Sequence, residues 1–523
     1  MSLLGDQLSS AQTHPSRRSL LKGGCGAISL ALAGAPLFDS ARAQAPKKGG
    51  RLLVGCAGGG AKDKLDPHTP VSFPDISRVF ALYEPLAARD ANYEFQMVLA
   101  EEISANPTAD LWTVRLKQGV EFHNGKTVTA DDAIASIQRI INPKDPKSGA
   151  AGLSDIDPDG FKKLDERSFS IKLKAPFAEF DSQLGQYGNG IVPADFDPSK
   201  PVGTGPFKFG SFAPGDRSTF AAHKNYWRAG MPYVDELVII DFPDDTARIN
   251  ALLGGQVHAI DNIPFSQTRV LDATPGVKTL SAKTGAWLPF TMRVDTKPFD
   301  DVRVRQALRL IVDREQMIKQ ALSGQGSVAN DLYSPFDPGY AKDLPQRHQD
   351  IDQAKSLLKA AGQSDLEVEL VTASVGAGIV EAAQVLAEQA RKAGVKINVR
   401  KVDSGVFYGQ DYLKWPFAQD FWFTRDYLPQ VANCALPSSP FNETHFNDAK
   451  FQGLIADARK TLDKAKRYEI MREAQKIEYE SGGYIIWGFR DQVDAYSTKI
   501  AGLIPSKTGT PLGNYGFAGV HFA

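Results

Sequence analysis

The chain has 523 residues, with 60 Lys and Arg against 61 Asp and Glu, a formal net charge of −1. That balance leaves no electrostatic footprint for nucleic acid or for an anionic membrane surface. At about 100–200 residues per domain, two to three domains are expected, large enough to fold without disulfide staples.

The first readable segment is an address, not structure. "PSRRSLLKGG" (Pro15–Gly24) pairs Arg17 with Arg18, and the apolar "AISLALA" (Ala27–Ala33) follows. That apolar run is shorter than the roughly 20 residues a bilayer span needs. A basic region, a short apolar region and the small-residue site Ala41–Arg42–Ala43 together form a secretory signal, residues 1–43, cut after Ala43. The arginine pair makes it a twin-arginine type; an ordinary secretory signal with adjacent arginines is the alternative. Both lead out of the cytoplasm, to the periplasm. Cys25 precedes the apolar region, and Lys22 stands where a lipobox needs an aliphatic residue, so no lipid anchor is expected. No later apolar run reaches membrane length, and the mature chain is expected to be soluble. Removing four basic and two acidic residues with the leader leaves a net charge of −3. Cys56 and Cys434 remain. The compartment permits a disulfide, but their spacing does not assign one.

Strand and helix signals then alternate, which points to an α/β protein. "GRLLVGCA" reads as the first strand. In "LWTVRLKQGVEFHNGKTVTADDAIASIQRIINP", Trp112, Val114 and Leu116 alternate with polar residues, so one face is buried. Asn124–Gly125 marks a tight turn. Thr129 caps a helix, with Asp132 completing an acidic capping box, and Ala133, Ile134, Ile137, Ile140 and Ile141 form its apolar stripe. "PVGTGPFKFGSFAPGD" reads as strand, turn and strand, and a helix is expected over 244–253. In "PFDDVRVRQALRLIVDREQ", Asp300 or Asp301 caps a helix whose Val304, Ala307, Leu308 and Ile311 face inward and whose arginines face out. A helix at "DQAKSLLKAAG", a strand at "LEVELVTA", a helix over 378–393, a strand at "VKINVRKV" and one long helical region over 447–479 complete the pass.

Three of these blocks carry a resemblance: "WTVRLKQGVEFHNGKTVTADDAIAS", "PVGTGPFKFGSFAPGD" with "YW" and "VDEL" downstream, and "PFDDVRVRQALRLIVDRE". "LYEPL" (Leu82–Leu86) and "THFND" (Thr444–Asp448) are also similar to family segments. Nearly the whole mature chain resembles the peptide/nickel-type (dipeptide- and oligopeptide-binding, family 5) solute-binding proteins of ABC importers. The resemblance implies an α/β two-lobe periplasmic-binding-protein fold, type II, of the large class with an extra subdomain. Lobe 1 would comprise 44–283, with an inserted subdomain over about 80–190, plus a C-terminal return over 489–523. Lobe 2 would comprise 284–488, and the chain would cross at "GAWLPFTMRVD" and "YIIWGFRDQVDAYS". The implied partners are a small peptide-like or amine-containing solute and an inner-membrane ABC permease. A monomer without cofactor or metal is expected. Ligands commonly bury at domain interfaces, and hinge closure is the expected motion.

Candidate ligand contacts follow from residue type. "DFWFTRDYL" reads as a strand running into a loop, and ligands of α/β sheets gather at carboxyl strand ends. The resemblance gives Asp426 the role of meeting a ligand amino group; pairing with Arg425 or another base is the alternative. Peptide binders follow this acid with a "GDPDN"-like stretch, and "YLPQVAN" stands here instead. Trp422 would share a face with Thr424 and Asp426, as a pocket wall or as core. Tyr427, Trp415 and Trp287 carry the same two readings. Arg293, where the family has Asn, could fork onto a ligand carboxylate or serve a salt bridge. "GTGPF" (Gly203–Phe207) lacks the rest of a phosphate loop or dinucleotide fingerprint, so its glycines serve a close strand approach. His123 has no second ligand at metal spacing.

A periplasmic hydrolase is the rival class. Ser356–Lys359 and the Lys507–Gly509 "KTG" echo penicillin-recognising enzymes, but the middle Ser/Tyr-x-Asn element is missing between them. A receptor serving a sensor or chemotaxis partner would use the same fold as an importer's receptor. Replacing Arg17 and Arg18 by Lys should block export by the twin-arginine route. Normal periplasmic amounts of the double variant, measured by fractionation, would assign the ordinary secretory route instead.

Overall fold

The computed structural model describes residues 46–523; the leader, with Arg17 and Arg18, lies outside the described residues. Three sheets organise the chain. The largest has seven strands in the order Val277–Ala282, Gln492–Ser497, Ala259–Ile260, Arg51–Ala57, Glu236–Phe242, Arg217–Ala222 and Phe207–Ala213. At its centre, Arg51–Ala57 runs parallel to both Glu236–Phe242 and Ala259–Ile260. Leu52, Val54, Cys56, Leu237 and Ile239 are buried there, the near-continuous apolar pattern of strands covered on both faces.

The second sheet has five strands, ordered Lys396–Val402, Glu367–Ala373, Phe417–Gln419, Phe290–Met292 and Tyr484–Ile485. Its parallel pair 367–373 and 396–402 is joined by the helix Ile379–Arg391, a crossover that parallel strands require. The third is a four-stranded antiparallel sheet, Ala100–Ala105, Leu111–Leu116, Ser168–Leu173 and Ile156–Lys163. Trp112, Val114 and Leu116 are buried and Arg115 is exposed. Its helix, Ala130–Ile140, opens with the Thr129–Asp132 capping box.

The chain crosses between the two larger sheets on a ribbon of two adjacent strands, with the short strand Gly326–Val328 paired alongside Gly488–Arg490. Residues 277–282 pair antiparallel with 497–492 in the large sheet. Trp287 bridges Phe489, and 290–291 then pair with 485–484 in the second sheet. Both crossings therefore travel side by side, with Arg490 N donating to Ala286 O at 2.9 Å between the sheets.

Two expectations change. The helix Val302–Ile311, capped by Asp301, buries Val304, Ala307, Leu308 and Ile311, but Arg305 and Arg309 are buried with them. Arg305 donates to Ser481 O at 2.6 Å, and Arg309 donates to Gly482 O at 2.8 Å and Tyr484 O at 3.0 Å. The last carbonyls of a helix have no intrahelical donors and carry negative partial charge, and these guanidiniums satisfy them. Arg303 alone of the three faces out, paired with Asp301. The region 447–479 is two helices, Ala449–Lys460 and Lys464–Ser481. Asp463 starts the second by accepting from Lys466 N at 2.9 Å. Cys56 and Cys434 are both free and lie in separate buried clusters. Among the described residues no helix is long and apolar enough to cross a membrane.

The glycines of "GTGPF" do serve a close approach. A Cβ on Gly205 would stand 2.6 Å from Ala81 O, and one on Gly203 would collide with Leu82 O. Gly205→Ala should therefore destabilise the protein by about 1–3 kcal/mol through overpacking. An unchanged unfolding temperature in calorimetry would show that the strand can shift to make room.

Candidate functional site

The ribbon emerges beside a column of aromatic rings. Trp287 stacks on Trp422 with centroids 5.9 Å apart and on Tyr333 at 5.2 Å, and Tyr333 stacks on Tyr427 at 5.6 Å. Tyr484 meets Trp287 edge-on at 5.3 Å. Offset stacked and edge-to-face pairs add to burial because the ring quadrupoles are complementary. The polar ends are satisfied inside. Tyr333 and Tyr427 donate to the two oxygens of Glu478, the latter at 2.6 Å, and Tyr484 donates to Glu443 at 2.8 Å. Burial pushes the Glu478 carboxyl up to about 7, against the two tyrosine hydrogen bonds that hold it down.

The segment 420–428 is not a strand. Strand pairing ends at Gln419, and Trp422 is held by a single bridge to Trp287, with N···O distances of 2.9 and 3.0 Å. The helix Tyr427–Cys434 begins directly after Asp426 and takes Pro429 in its first turn, where a missing N–H costs little. Period-two alternation therefore does not apply to Trp422, Thr424 and Asp426. Asp426 stands at the helix N-cap without capping it. The Tyr427 amide donates instead to Asp337 at 2.8 Å.

The carboxylate of Asp426 is 9% exposed and accepts from Arg89 at 2.6 Å. Arg89 comes from the strand Ala87–Arg89, beside the four-stranded sheet, and lies over the rings of Tyr93 (5.2 Å) and Phe95 (5.4 Å). Neighbouring carboxyls are held toward their neutral forms. Burial, then the charge of Asp426, pushes Asp337 up, and burial, then Asp337, pushes Glu179 up. Glu179 accepts from Arg467 at 2.9 Å, and Ala178 N donates to Arg459 O at 2.6 Å. These contacts join the part of the chain around 89–181 to the part around 426–467.

Trp287, Trp422 and Tyr427 thus come together in one column, with Asp426 at its end. Trp415 and Arg293 lie in another neighbourhood. Trp415 stacks on Phe407 and donates to Phe407 O at 3.1 Å. Arg293 forks onto Asp295 at 3.0 and 2.8 Å and donates to Lys414 O. Sequence reasoning missed Arg89, Tyr93, Asp337 and Glu478. Arg89 and Asp426 are 337 positions apart, and no local pattern links them. Ser356 is exposed on the helix Ile351–Ala360.

Two lobes built on separate sheets, joined by a ribbon and meeting over a buried ion pair, define a binding protein of the solute-capturing class. The description "Bacterial extracellular solute-binding proteins, family 5 Middle" matches residues 94–445. The chain belongs to that family, whose members serve ABC importers and bind solutes without transforming them. The glutathione-binding protein GsiB of Pectobacterium atrosepticum is 25% identical over 479 residues, 84% of this chain and 88% of that protein. Di/tripeptide-binding protein 2 of Pseudomonas aeruginosa is 25% identical over 447 residues, 77% and 83% of the two chains. The solved structure of the PBP AgaA of A. tumefaciens R10 with agropinic acid superimposes with a TM-score of 0.75 at 25% identity, covering 91% of this chain and 99% of that one.

The raised Glu478 carboxyl links stability to pH. Its folded value of about 7 lies above the ordinary 4.5, so its stabilising share is whole below pH 4.5 and is lost as pH rises through 7. Glu478→Gln should flatten this part of the stability profile by an amount on the order of 3 kcal/mol. Denaturant titrations of both proteins from pH 4.5 to 8 check this; parallel profiles would place the proton elsewhere.

Proposed function

We propose that this protein is a periplasmic receptor that captures a small peptide-like solute between two lobes and hands it, unchanged, to an ABC permease. The reading assigns 44–283 with 489–523 to one lobe and 284–488 to the other, and export to the twin-arginine leader. It makes the protein a monomer in solution. The solute site is assigned to the loop Trp422–Asp426 where it faces Tyr93. The names of the relatives support a peptide-like solute: the two cited here are a glutathione-binding and a di/tripeptide-binding protein.

The single observation that carries the proposal is the ribbon. Among the described residues the chain crosses between the larger sheets on two adjacent strands, with Gly326–Val328 paired alongside Gly488–Arg490, so rotation about that ribbon changes the gap between lobes while each sheet stays intact. This is the hinge mode of domain closure. The solute shifts the open–closed balance only by its differential affinity for the two forms. Micromolar binding, about −8 kcal/mol, would capture solute and still release it.

X-ray scattering of the exported protein, stripped of solute and then titrated with a mixture of di- and tripeptides, tests this. The radius of gyration should fall on binding, and the peptides should be recovered intact by mass spectrometry. Hydrolysed peptide would reverse the assignment to a binding protein. An unchanged radius in the presence of bound peptide would remove the closing step.

A further inference from the structure

The site's charge points to the class of solute, an inference that rests on the receptor reading above. Asp426 is already neutralised by Arg89 at 2.6 Å, within the protein itself. A carboxylate so engaged needs no ligand cation to offset its burial. Its neighbour Arg425 is in the opposite position. The Arg425 guanidinium is half-buried and lies over the Trp422 ring, 5.6 Å from its centroid. Among the described residues no carboxylate comes within ion-pair distance of it, and it donates no side-chain hydrogen bond. Asp337, Glu179 and Asp181, the other acids of this neighbourhood, are all shifted by burial toward their neutral forms.

One phenol lies beside the same place. Tyr93 packs beneath Arg89, the partner of Asp426, and against Phe336. Its hydroxyl has no hydrogen-bond partner among the described residues, and burial, then the charge of Asp426, holds it in its neutral, donating form. A guanidinium and a phenol donor without an anion are the complement of a carboxylate, since guanidinium and carboxylate match as a two-pronged pair.

We propose that this loop site receives an anionic group of the solute, a carboxylate, on Arg425 with the hydroxyl of Tyr93, and that Asp426 acts through Arg89 as a lock between the lobes instead of meeting an ammonium group. A guanidinium held over an indole keeps its charge while losing water, so an incoming carboxylate meets a donor already oriented. Arg425→Gln removes that charge; Arg425→Lys keeps the charge and loses the fork.

The test uses solute-stripped exported protein, offered an equal mixture of tri-alanine and tri-alanine amide, with retained masses read by native mass spectrometry. Wild type should retain the acid over the amide by at least about tenfold, the factor expected for a lost charged hydrogen bond. Arg425→Gln should bring the two to near parity while its unfolding temperature stays close to wild type, and Arg425→Lys should fall between. Equal retention by wild type, or a preference unchanged in Arg425→Gln, overturns the carboxylate assignment and leaves the receptor reading standing. If neither peptide is retained, the same proteins are exposed to a periplasmic extract. An anionic solute held by wild type and lost in Arg425→Gln supports the proposal, and a neutral or cationic one overturns it. Retention of nothing from either source sinks the receptor reading itself.

Discussion

The antiparallel ribbon at 277–291 and 484–497 is the constraint on which the rest depends. Its two strands are neighbours in the large sheet, remain linked through the Trp287–Phe489 bridge, and are neighbours again in the second sheet. Register errors in one sheet would therefore propagate into the other, because a one-residue slip turns every side chain to the opposite face. The same two strands are the covalent path between the sheets, with Gly326–Val328 paired on their flank. Small glycines sit in the ribbon at Gly285 and Gly488, where added Cβ atoms would meet Pro335 and Ile318. The ribbon is thus packed closely, with little slack at its base.

Around this base apolar and ionic contacts lie side by side. The rings of Trp287, Trp422, Tyr333 and Tyr427 stack into one column whose hydroxyls end on a buried carboxyl. Such a column resists rearrangement, because the two tyrosine hydroxyls would lose a partner that buried groups need. Ion pairs join the two parts of the chain that face each other: Arg89 with Asp426, Arg467 with Glu179, and Arg459 with Asp155. They lie beside a buried apolar cluster that runs through both parts, from Trp112 and Phe177 to Trp422 and Phe451.

Local chemistry was legible wherever the deciding contacts lie within a few residues. The Thr129–Asp132 capping box, the Asp301 cap, the buried stripe of Val304, Ala307, Leu308 and Ile311, and the close packing at Gly203 and Gly205 all follow from pattern or residue type. The errors have one cause in common. Arg305 and Arg309 were read as facing out because they are charged, yet they satisfy the end of a helix some 170 positions downstream. "DFWFTRDYL" reads as a strand running into a loop, yet a proline-tolerant helix start and a single bridge define it.

The sequence by itself determined the alternation of strands and helices, the caps and the family, since each is carried by contiguous residues. It also named Trp287, Trp422, Tyr427 and Asp426 as residues of interest. Only the tertiary structure decided what those residues touch. It stacked three of them in one column, gave Asp426 to Arg89, and left Arg425 without an acid among the described residues. Partner choice for a charge depends on which groups burial brings within a few ångströms, and at 337 positions of separation no periodicity along the chain encodes that distance.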